Sequence, residues 1–364
     1  MTAFALSLSE PAERSRTVAE IAAETIRPLA RTIDQDGFYP DQALQDLGAA
    51  GAFGRHSTGT GDGLMAAIAD TSRVAETCLS TAFCMWCQNA LVWYLAKTEN
   101  QPLRQRLLHR FAQGERLGGT GLSNPMKAAS GIEPVALRGV ETEGGYSVTG
   151  RLPWVSNLAP GHAFAGVFTL ACGRKVMAVF ETAAPGLRMR QNVNFIALEG
   201  TGTYSVAMQD VFVPHEDVLA EDAGSFIPGI RQGFVLLQLG MGLGLARGVA
   251  QAMQNQAASR ANALALPLQP DAILEQADGI EARAADLAER NAVPEREPFL
   301  TVLALRQDAA WLAMNAAQAG ALQAGAAGYV AGSDTHRRHR EALFVGIVTP
   351  SIKHITTELA RGVN

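Results

Sequence analysis

The order of hydrophobic patterns along the chain constrains its fold more than any other feature. Apolar residues recur at helical spacing in residues 1–116, form short strand-like runs in residues 117–224, and return to helical spacing in residues 225–364. Segregated blocks of this kind fold as separate layers or domains, whereas an alternation of strands and helices would indicate βαβ units. The sequence therefore predicts a mainly α-helical protein with an N-terminal α domain, a middle β domain and a C-terminal helical bundle.

Within these blocks the patterns predict individual elements. Helices are expected at 18–33, 41–53, 64–79, 80–97, 101–113, 232–259, 270–290, 299–324 and 338–361. In the β block, Phe164–Leu170 and Val176–Phe180 flank Gly173, which is the pattern of a hairpin. Tyr204–Val213 is a further strand-like run, and it ends at Pro214.

Composition and charge exclude several classes of protein. Hydrophobic residues make up 48% of the 364 residues and charged residues 18%, as in an ordinary globular protein. A net charge of −5 gives no electrostatic basis for binding nucleic acid. No apolar run reaches the ~18 residues of a membrane span, and residues 1–16 lack a secretory apolar core, so we expect a cytoplasmic protein. Four cysteines do not indicate a disulfide framework.

Three motifs that suggest a cofactor or metal are better explained by packing or solvation. The run Gly240–Gly244 lacks the preceding strand and the spacing of a dinucleotide-binding loop, so it predicts close helix packing. Cys84-Met85-Trp86-Cys87 lies inside an apolar helix without a second cysteine pair, so it predicts buried structural cysteines. The run His336–Arg340 contains three arginines that would repel a cation, so we expect a solvated or anion-facing basic face and no metal site.

Four separated segments, in the same order, resemble the acyl-CoA dehydrogenase superfamily. The second segment holds Leu122-Ser123-Asn124-Pro125, similar to the family's V-T-E-P, and then Gly145–Gly150 and Trp154–Asn157, similar to its G-Y-x-L-x-G and W-I-T-N. The other segments are Arg73–Thr77 running through Asn100, Asp210–Pro214, and Gly325–Ser351, which aligns without gaps to the segment with the family's catalytic loop. Each motif alone is weak, but the four together match the α-β-α order.

This resemblance implies a fold and a cofactor. The expected fold has an N-terminal helical domain, a middle β-barrel-like domain and a C-terminal four-helix bundle. FAD is expected between the β domain and the bundle, in a homotetramer or homodimer whose neighbouring subunit completes each site. The resemblance also implies a small-molecule substrate, an acyl thioester, and a partner protein that is an electron-transfer flavoprotein or a flavin reductase.

The resemblance also assigns residues to the flavin ring. Leu122 and Ser123 are expected to meet the isoalloxazine through backbone groups and a hydroxyl. Trp154 is expected to pack its aromatic plane against the flavin, and Ser156 to hydrogen-bond near the N5 side. Hydrogen bonds of this kind are how a protein tunes a flavin.

The remaining expected cofactor contacts lie in the C-terminal block. Arg260 stands where the family places an arginine on the FAD pyrophosphate, which is a charge-assisted contact. Gly325 and Gly328 occupy the turn that lets the backbone approach the adenosine diphosphate of another subunit's FAD. Ser351 matches a threonine of the family that contacts FAD.

Several positions depart from the family pattern, and the catalytic base is the most consequential. The glutamate that normally takes the substrate's α-proton is Thr349, which cannot accept a proton at neutral pH. The alternative position for that glutamate falls at about Phe234, so we consider His354 and Glu199 as replacements. Other changes place Asn124 at the acid of T-E-P, Met126–Ser130 at G-A-G-S-D, and Ala326 at the second adjacent glycine.

Three functions therefore stay open at the level of sequence. The first is a FAD-dependent oxidoreductase that oxidises an acyl-CoA-type thioester by hydride transfer to flavin N5, with a base other than Thr349. The second is a flavin-dependent monooxygenase on the same fold that receives reduced flavin from a separate reductase. The third is a non-catalytic flavin-binding homologue.

Overall fold

The computed structural model describes residues 16–191, 194–256, 266–290 and 296–362. Its N-terminal helices are α1 (Val18–Ile21), α2 (Arg27–Gln35), α3 (Asp41–Ala49), α4 (Gly61–Ala75), α5 (Leu79–Lys97) and α6 (Gln101–Ala112). A π-helical turn, Ala22–Ile26, joins α1 to α2. Helix α5 is buried along its whole length except for Lys97, as expected for a helix that is apolar on every face.

The middle segment forms one sheet of eight strands within the described residues. The strands are β1 (Gly118–Thr120), β2 (Leu137–Thr142), β3 (Gly145–Val155), β4 (Ala163–Thr169), β5 (Lys175–Glu181), β6 (Leu187–Arg190), β7 (Tyr204–Pro214) and β8 (Val218–Ala220). Their order is β6-β7-β3-β2-β4-β5-β8, with β1 paired in parallel to β4. The predicted hairpin is confirmed, because β4 and β5 are antiparallel and joined at Gly173. A short helix, α7 (Ser123–Ala129), lies between β1 and β2.

The hairpin β4–β5 is buried on both faces, which explains why its sequence is continuously apolar. On one face Phe164, Phe168 and Phe180 form the core of the sheet, and the rings of Phe164 and Phe180 stack at 5.4 Å. On the other face Ala165 and Val179 join the core of the helices. The sheet is therefore fixed against the helices through this hairpin.

The C-terminal block contains six helices within the described residues. They are α8 (Ala223–Leu236), α9 (Leu239–Asn255), α10 (Pro270–Glu289), α11 (Arg296–Ala324), α12 (Asp334–Ile347) and α13 (Ile352–Gly362). The prediction of one helix over 338–361 was wrong, because the chain leaves helical geometry between α12 and α13. Pro350 lies in this break, and proline both lacks an amide donor and disfavours helical geometry at the residue before it.

The helices α8 and α9 form the most apolar stretch of the described chain. Ala223–Asn255 is long and apolar enough to cross a membrane by length and composition, but 94% of its most apolar window is buried inside the protein, as in a core helix.

The predicted close packing of Gly240–Gly244 is confirmed. A Cβ on Gly240 would lie 2.6 Å from the Ile68 carbonyl oxygen, and one on Gly244 would lie 2.2 Å from the Ser72 carbonyl oxygen. Glycine at these positions therefore lets α9 approach α4.

At His336–Arg340 we predicted a solvated or anion-facing basic face, and the solvated alternative was wrong for the two arginines Arg337 and Arg338, which face carboxylates. Arg337 and Arg338 are buried, and the carboxylates that pair with them lie on the same helix. Arg337 Nη1 donates to Glu341 at 2.8 Å, and Arg338 Nε donates to Asp334 at 2.7 Å. The spacing of these carboxylates at i±4 was the missed signal, because residues four apart on a helix are neighbours.

The interpretation of Cys84 and Cys87 as structural is confirmed. Both side chains are buried in α5, and burial raises the pKa of both thiols well above the usual value. A thiol with a raised pKa is poorly reactive, because the thiolate is the nucleophile.

We expect Gly244→Ala to destabilise the protein by about 1–3 kcal/mol, because the added methyl group overpacks the contact between α9 and α4. Gly279→Ala is the matched control. Gly279 lies inside α10 with open space around its Cβ position, so alanine should leave stability unchanged or raise it by up to ~1 kcal/mol. Urea unfolding of both variants measures the difference, and equal effects would contradict the packing account.

The buried His56 should make stability depend on pH. Its Nε2 lies 2.7 Å from the Asn89 carbonyl oxygen, and burial lowers its pKa to about 4. The unfolded chain binds a proton near pH 6.5 and the folded chain only near pH 4, so stability falls as pH decreases between these values. The expected loss reaches about 3 kcal/mol. Urea unfolding of wild type and His56→Gln between pH 7 and 4 measures it, and an equal pH dependence in both would contradict the assignment.

Candidate functional site

The site begins where the β domain meets the loop between α12 and α13. Ser123 Oγ, at the start of α7, lies 2.6 Å from Thr349 Oγ1 in that loop. The two hydroxyls come from segments that are 226 residues apart in sequence. The structure thus brings together the residue expected at the flavin ring and the residue that replaces the expected base. We call the Ser123–Thr349 contact the junction.

Two buried side chains hold the loop from behind. Gln238 Nε2 donates to the Thr349 carbonyl oxygen at 2.8 Å, and Arg306 Nε donates to Gln238 Oε1 at 2.7 Å. Arg306 Nη2 also donates to the Val345 carbonyl oxygen at 2.5 Å. Arg306 is 1% exposed, and burial lowers its pKa to about 10, so it remains a cation at neutral pH. An unpaired buried guanidinium would be costly, so these hydrogen bonds are retained. Through Gln238 they fix the position of the Thr349 backbone.

Sequence reasoning missed Arg306 and Gln238. The one available signal was Arg306 itself, which directly follows the apolar run Val302–Leu305 in α11. A charged residue in such surroundings is buried only when it has polar partners. Nothing in the sequence identified those partners, because they lie on other helices.

The end of strand β3 and the residues after it carry the other predicted ring contacts. Trp154 is 58% exposed at the end of β3. Ser156 Oγ is hydrogen-bonded to Thr203 Oγ1 at 2.7 Å, and Thr203 Oγ1 is hydrogen-bonded to Thr201 Oγ1 at 2.8 Å. A Cβ on Gly119 of β1 would lie 2.1 Å from the Ser156 carbonyl oxygen, so this edge adjoins the strand that leads to α7.

These residues fit a flavin. An indole with more than half of its surface exposed is available to stack on a planar ring, and the neighbouring hydroxyls provide donors and acceptors for the ring's polar edge. The resemblance implies FAD, and the contacts of its ring with Trp154, Ser123 and Ser156 stay predictions.

Leu122 and Ser351 have local structural roles. Leu122 is fully buried, and its amide donates to Thr120 Oγ1 at 3.2 Å. Ser351 Oγ accepts from the backbone amide of His354 at 3.3 Å, in the first turn of α13. Their expected contacts with FAD stay predictions.

The glycine turn lies far from the junction in the same chain. Gly325 and Gly328 follow the end of α11, whereas Leu303 near its start lines the cavity next to the junction. At 1.5 Å per residue the helix separates Leu303 from Gly325 by ~33 Å. A contact of this turn with another subunit's FAD stays a prediction, and Arg260 lies outside the described residues.

A cavity of about 320 Å³ adjoins the junction. Pro125, two residues after Ser123, and Pro350, directly after Thr349, both line it. The end of α7, α8, the start of α11 and α13 form its other walls. The cavity therefore lies beside both segments of the junction.

The polar wall of this cavity contains a hydroxyl and an imidazole. His354 Nε2 lies 2.7 Å from Ser130 Oγ, and His354 Nδ1 has no hydrogen-bond partner within the described residues. His354 is 6% exposed, and burial lowers its pKa below the usual 6.5, so the imidazole is neutral at pH 7. Lys175 and Arg231 also line the cavity.

The other positions considered for a base lie elsewhere. Phe234 is 1% exposed, and its ring packs at 5.1 Å from that of Trp86 inside the core. The Glu199 carboxylate accepts from the Phe195 amide and does not line the cavity. Of the two replacement candidates, His354 alone borders the cavity.

Asn124 has a structural role where the family has an acid. Its Oδ1 accepts from the Ala136 amide at 2.8 Å, and its Nδ2 donates to the Pro134 carbonyl oxygen at 2.9 Å. These two bonds hold the loop after α7 against the wall of the cavity. An amide suits this position because it both donates and accepts.

Comparison with known proteins agrees with this architecture. Residues 10–115 match the family model of the acyl-CoA dehydrogenase N-terminal domain. The chain is 26% identical over 241 residues to benzylmalonyl-CoA dehydrogenase of Aromatoleum aromaticum, across 64% of this chain and 63% of that relative. The chain is thus similar in sequence to acyl-CoA dehydrogenases, and residues 10–115 have the form of their N-terminal domain. This match spans less than two thirds of the relative's own length.

Solved structures of superfamily members show the same fold over nearly the whole chain. Butyryl-CoA dehydrogenase of Megasphaera elsdenii superposes with a TM-score of 0.81 at 15% identity, covering 95% of this chain and 96% of that chain. The prolyl acyl carrier protein oxidase AnaB superposes with a TM-score of 0.80 at 15% identity, covering 95% and 97%. At such identities the likeness shows the fold and leaves the reaction open.

We expect Trp154→Ala to weaken FAD binding about tenfold, because an aromatic stack contributes roughly 1 kcal/mol beyond buried area. Trp311→Ala is the matched control, since Trp311 is 49% exposed on α11 outside this site. Titration of apoprotein with FAD by calorimetry measures both affinities.

Combining Trp154→Ala with Arg260→Ala should yield apoprotein on purification. A double variant that purifies with a full complement of flavin would contradict the site.

Proposed function

We propose that this protein is a FAD-dependent oxidoreductase that oxidises a small acyl-thioester substrate bound in the 320 Å³ cavity. The junction is the observation that carries the proposal. It joins Ser123 of the β domain to the loop of Thr349, and Pro125 and Pro350 beside these two residues line the cavity. The proposal adds that a flavin ring against the exposed Trp154 reaches a substrate in this cavity.

When bound, FAD supplies two-electron oxidation, and the residues of this chain position it and its substrate. Trp154 would hold the ring plane, while Ser123 and Ser156 would hydrogen-bond its edge. Thr349 donates or accepts through its hydroxyl but takes no proton at neutral pH. The hydrogen bonds from Arg306 to Gln238 and from Gln238 to the Thr349 carbonyl oxygen hold the Thr349 backbone in place.

The substrates of similar proteins support the acyl-thioester class. The matched relatives and structures act on butyryl-CoA, on benzylmalonyl-CoA and on a prolyl group carried by a protein, as their names state. We extend this class to the present chain, with an electron-transfer flavoprotein as the electron acceptor and a homotetramer or homodimer as the assembly.

A flavin-dependent monooxygenase is the second candidate. It is favoured by the absence of a carboxylate at Thr349 and at Phe234, since a monooxygenase needs no base for an α-proton. In that case the junction hydroxyls would act as hydrogen-bond donors beside the flavin, and a separate flavin reductase would be the partner.

The test is an anaerobic titration of the FAD-loaded protein with a panel of acyl-CoA thioesters that includes butyryl-CoA. The proposal predicts bleaching of the ~450 nm flavin band by at least one of them. A yellow protein that no thioester bleaches would favour the monooxygenase. A colourless protein that takes up no FAD would leave a non-catalytic homologue.

Thr349→Glu tests the placement of the substrate. A glutamate at this position would stand between the ring edge and the cavity, so we expect it to speed bleaching by about 10²–10⁴-fold, as general bases do. Thr349→Gln has the same shape without the base and should give no acceleration. Equal rates in the two variants would show that the substrate does not lie beside this loop.

A further inference from the structure

The cavity wall contains two polar residues that no part of the proposed function uses so far. Ser130 follows the end of α7, and His354 lies in the first turn of α13. They are 224 residues apart in sequence, and His354 Nε2 lies 2.7 Å from Ser130 Oγ. Both residues line the cavity next to Pro350.

Each member of the pair is held in place by its own contacts. The Ser130 carbonyl oxygen accepts from Arg361 Nη1 at 2.9 Å, and the next residue, Gly131, has a positive φ of 69° that ends the helix. The His354 amide is bound by Ser351 Oγ. The geometry of the pair is therefore fixed by the backbone on both sides.

The surroundings keep the imidazole neutral and able to accept a proton. Burial lowers the pKa of His354, and Lys127 and Arg361 lower it further, while Glu358 raises it. Lys175 and Arg231 line the same cavity. A neutral imidazole whose Nε2 faces a serine hydroxyl is the arrangement that activates a hydroxyl in acid–base catalysis.

We propose that Ser130 and His354 are the proton-accepting pair of this protein and take the place of the missing glutamate. This proposal rests on the proposed function. Ser130 Oγ takes the proton that the substrate loses, and the proton of Ser130 passes to His354 Nε2. When bound, the oxidised FAD of the proposed function would accept the two electrons as a hydride, which balances the oxidation of the substrate. The products are the oxidised substrate, the reduced flavin and an imidazolium that returns its proton to solvent.

A purely structural role is the competing explanation, since the same hydrogen bond ties α13 to the end of α7. His354→Gln separates the two, because its amide can still bond to Ser130 but takes no proton. Ser130→Ala removes the hydroxyl, and Ser130→Thr keeps it. His339→Ala is the matched histidine control, since His339 is exposed on α12 outside the cavity.

The experiment measures anaerobic flavin reduction by butyryl-CoA, or by the most active thioester of the panel, between pH 5 and 9. We expect the rate to fall by about 10²–10⁴-fold in His354→Gln and Ser130→Ala, with the affinity for the thioester changed little. His339→Ala should react like wild type, and Ser130→Thr, which keeps a hydroxyl, should lose much less of the rate than Ser130→Ala. The wild-type rate should rise with pH through a pKa below 6.5 and then stay constant.

Added imidazole should partly restore His354→Ala, because a small base can enter the space left in the cavity. Proton NMR of the imidazole signals supplies a readout that needs no turnover. It should show a pKa below 6.5 for His354 that changes in Ser130→Ala.

A wild-type rate in His354→Gln would overturn this proposal and leave the proposed function intact. Loss of reduction that tracks a fall in melting temperature and is not rescued by imidazole would also overturn it. A wild type that binds FAD and is reduced by no thioester would instead contradict the proposed function.

Discussion

The contact between Ser123 and Thr349 is the interaction on which the site depends. It joins a helix that starts in the β domain to a loop that interrupts the C-terminal helices, and neither segment could form a site alone. The loop stays in place because Gln238 and the buried cation of Arg306 hold its backbone. In a regular helix, backbone hydrogen bonds satisfy and position the carbonyl groups. In this loop, the buried side chains of Arg306 and Gln238 supply those hydrogen bonds instead.

The overall fold was predictable because it follows from hydrophobic periodicity. The α-β-α order, the hairpin at Gly173 and the tight packing of α9 all depend on local pattern and residue size. The errors arose where a single residue changed the outcome. Pro350 ends a helix that the apolar spacing predicted to continue. Asp334 and Glu341 form ion pairs with two arginines and so allow them to be buried, although the sequence suggested a solvated face.

The site was predictable only in part. The resemblance named Ser123, Trp154, Ser156 and Thr349, and the structure places the first and last in contact and the indole at the surface. The sequence could not pair Ser130 with His354, because 224 residues separate them and the segment Met126–Ser130 departs from the family motif at its position. Long-range polar pairs of this kind are set by how α7, α11 and α13 pack, and no local spacing reports that.

A structure of the protein with FAD tests the central claim most directly. The account predicts an isoalloxazine stacked on Trp154, with its polar edge within hydrogen-bond distance of Ser123 and Ser156 and the cavity open to one face of the ring. It also predicts that the adenosine end meets Gly325 of a neighbouring copy. A flavin bound elsewhere, or a ring placed so that the cavity lies out of its reach, would contradict the assignment of this site.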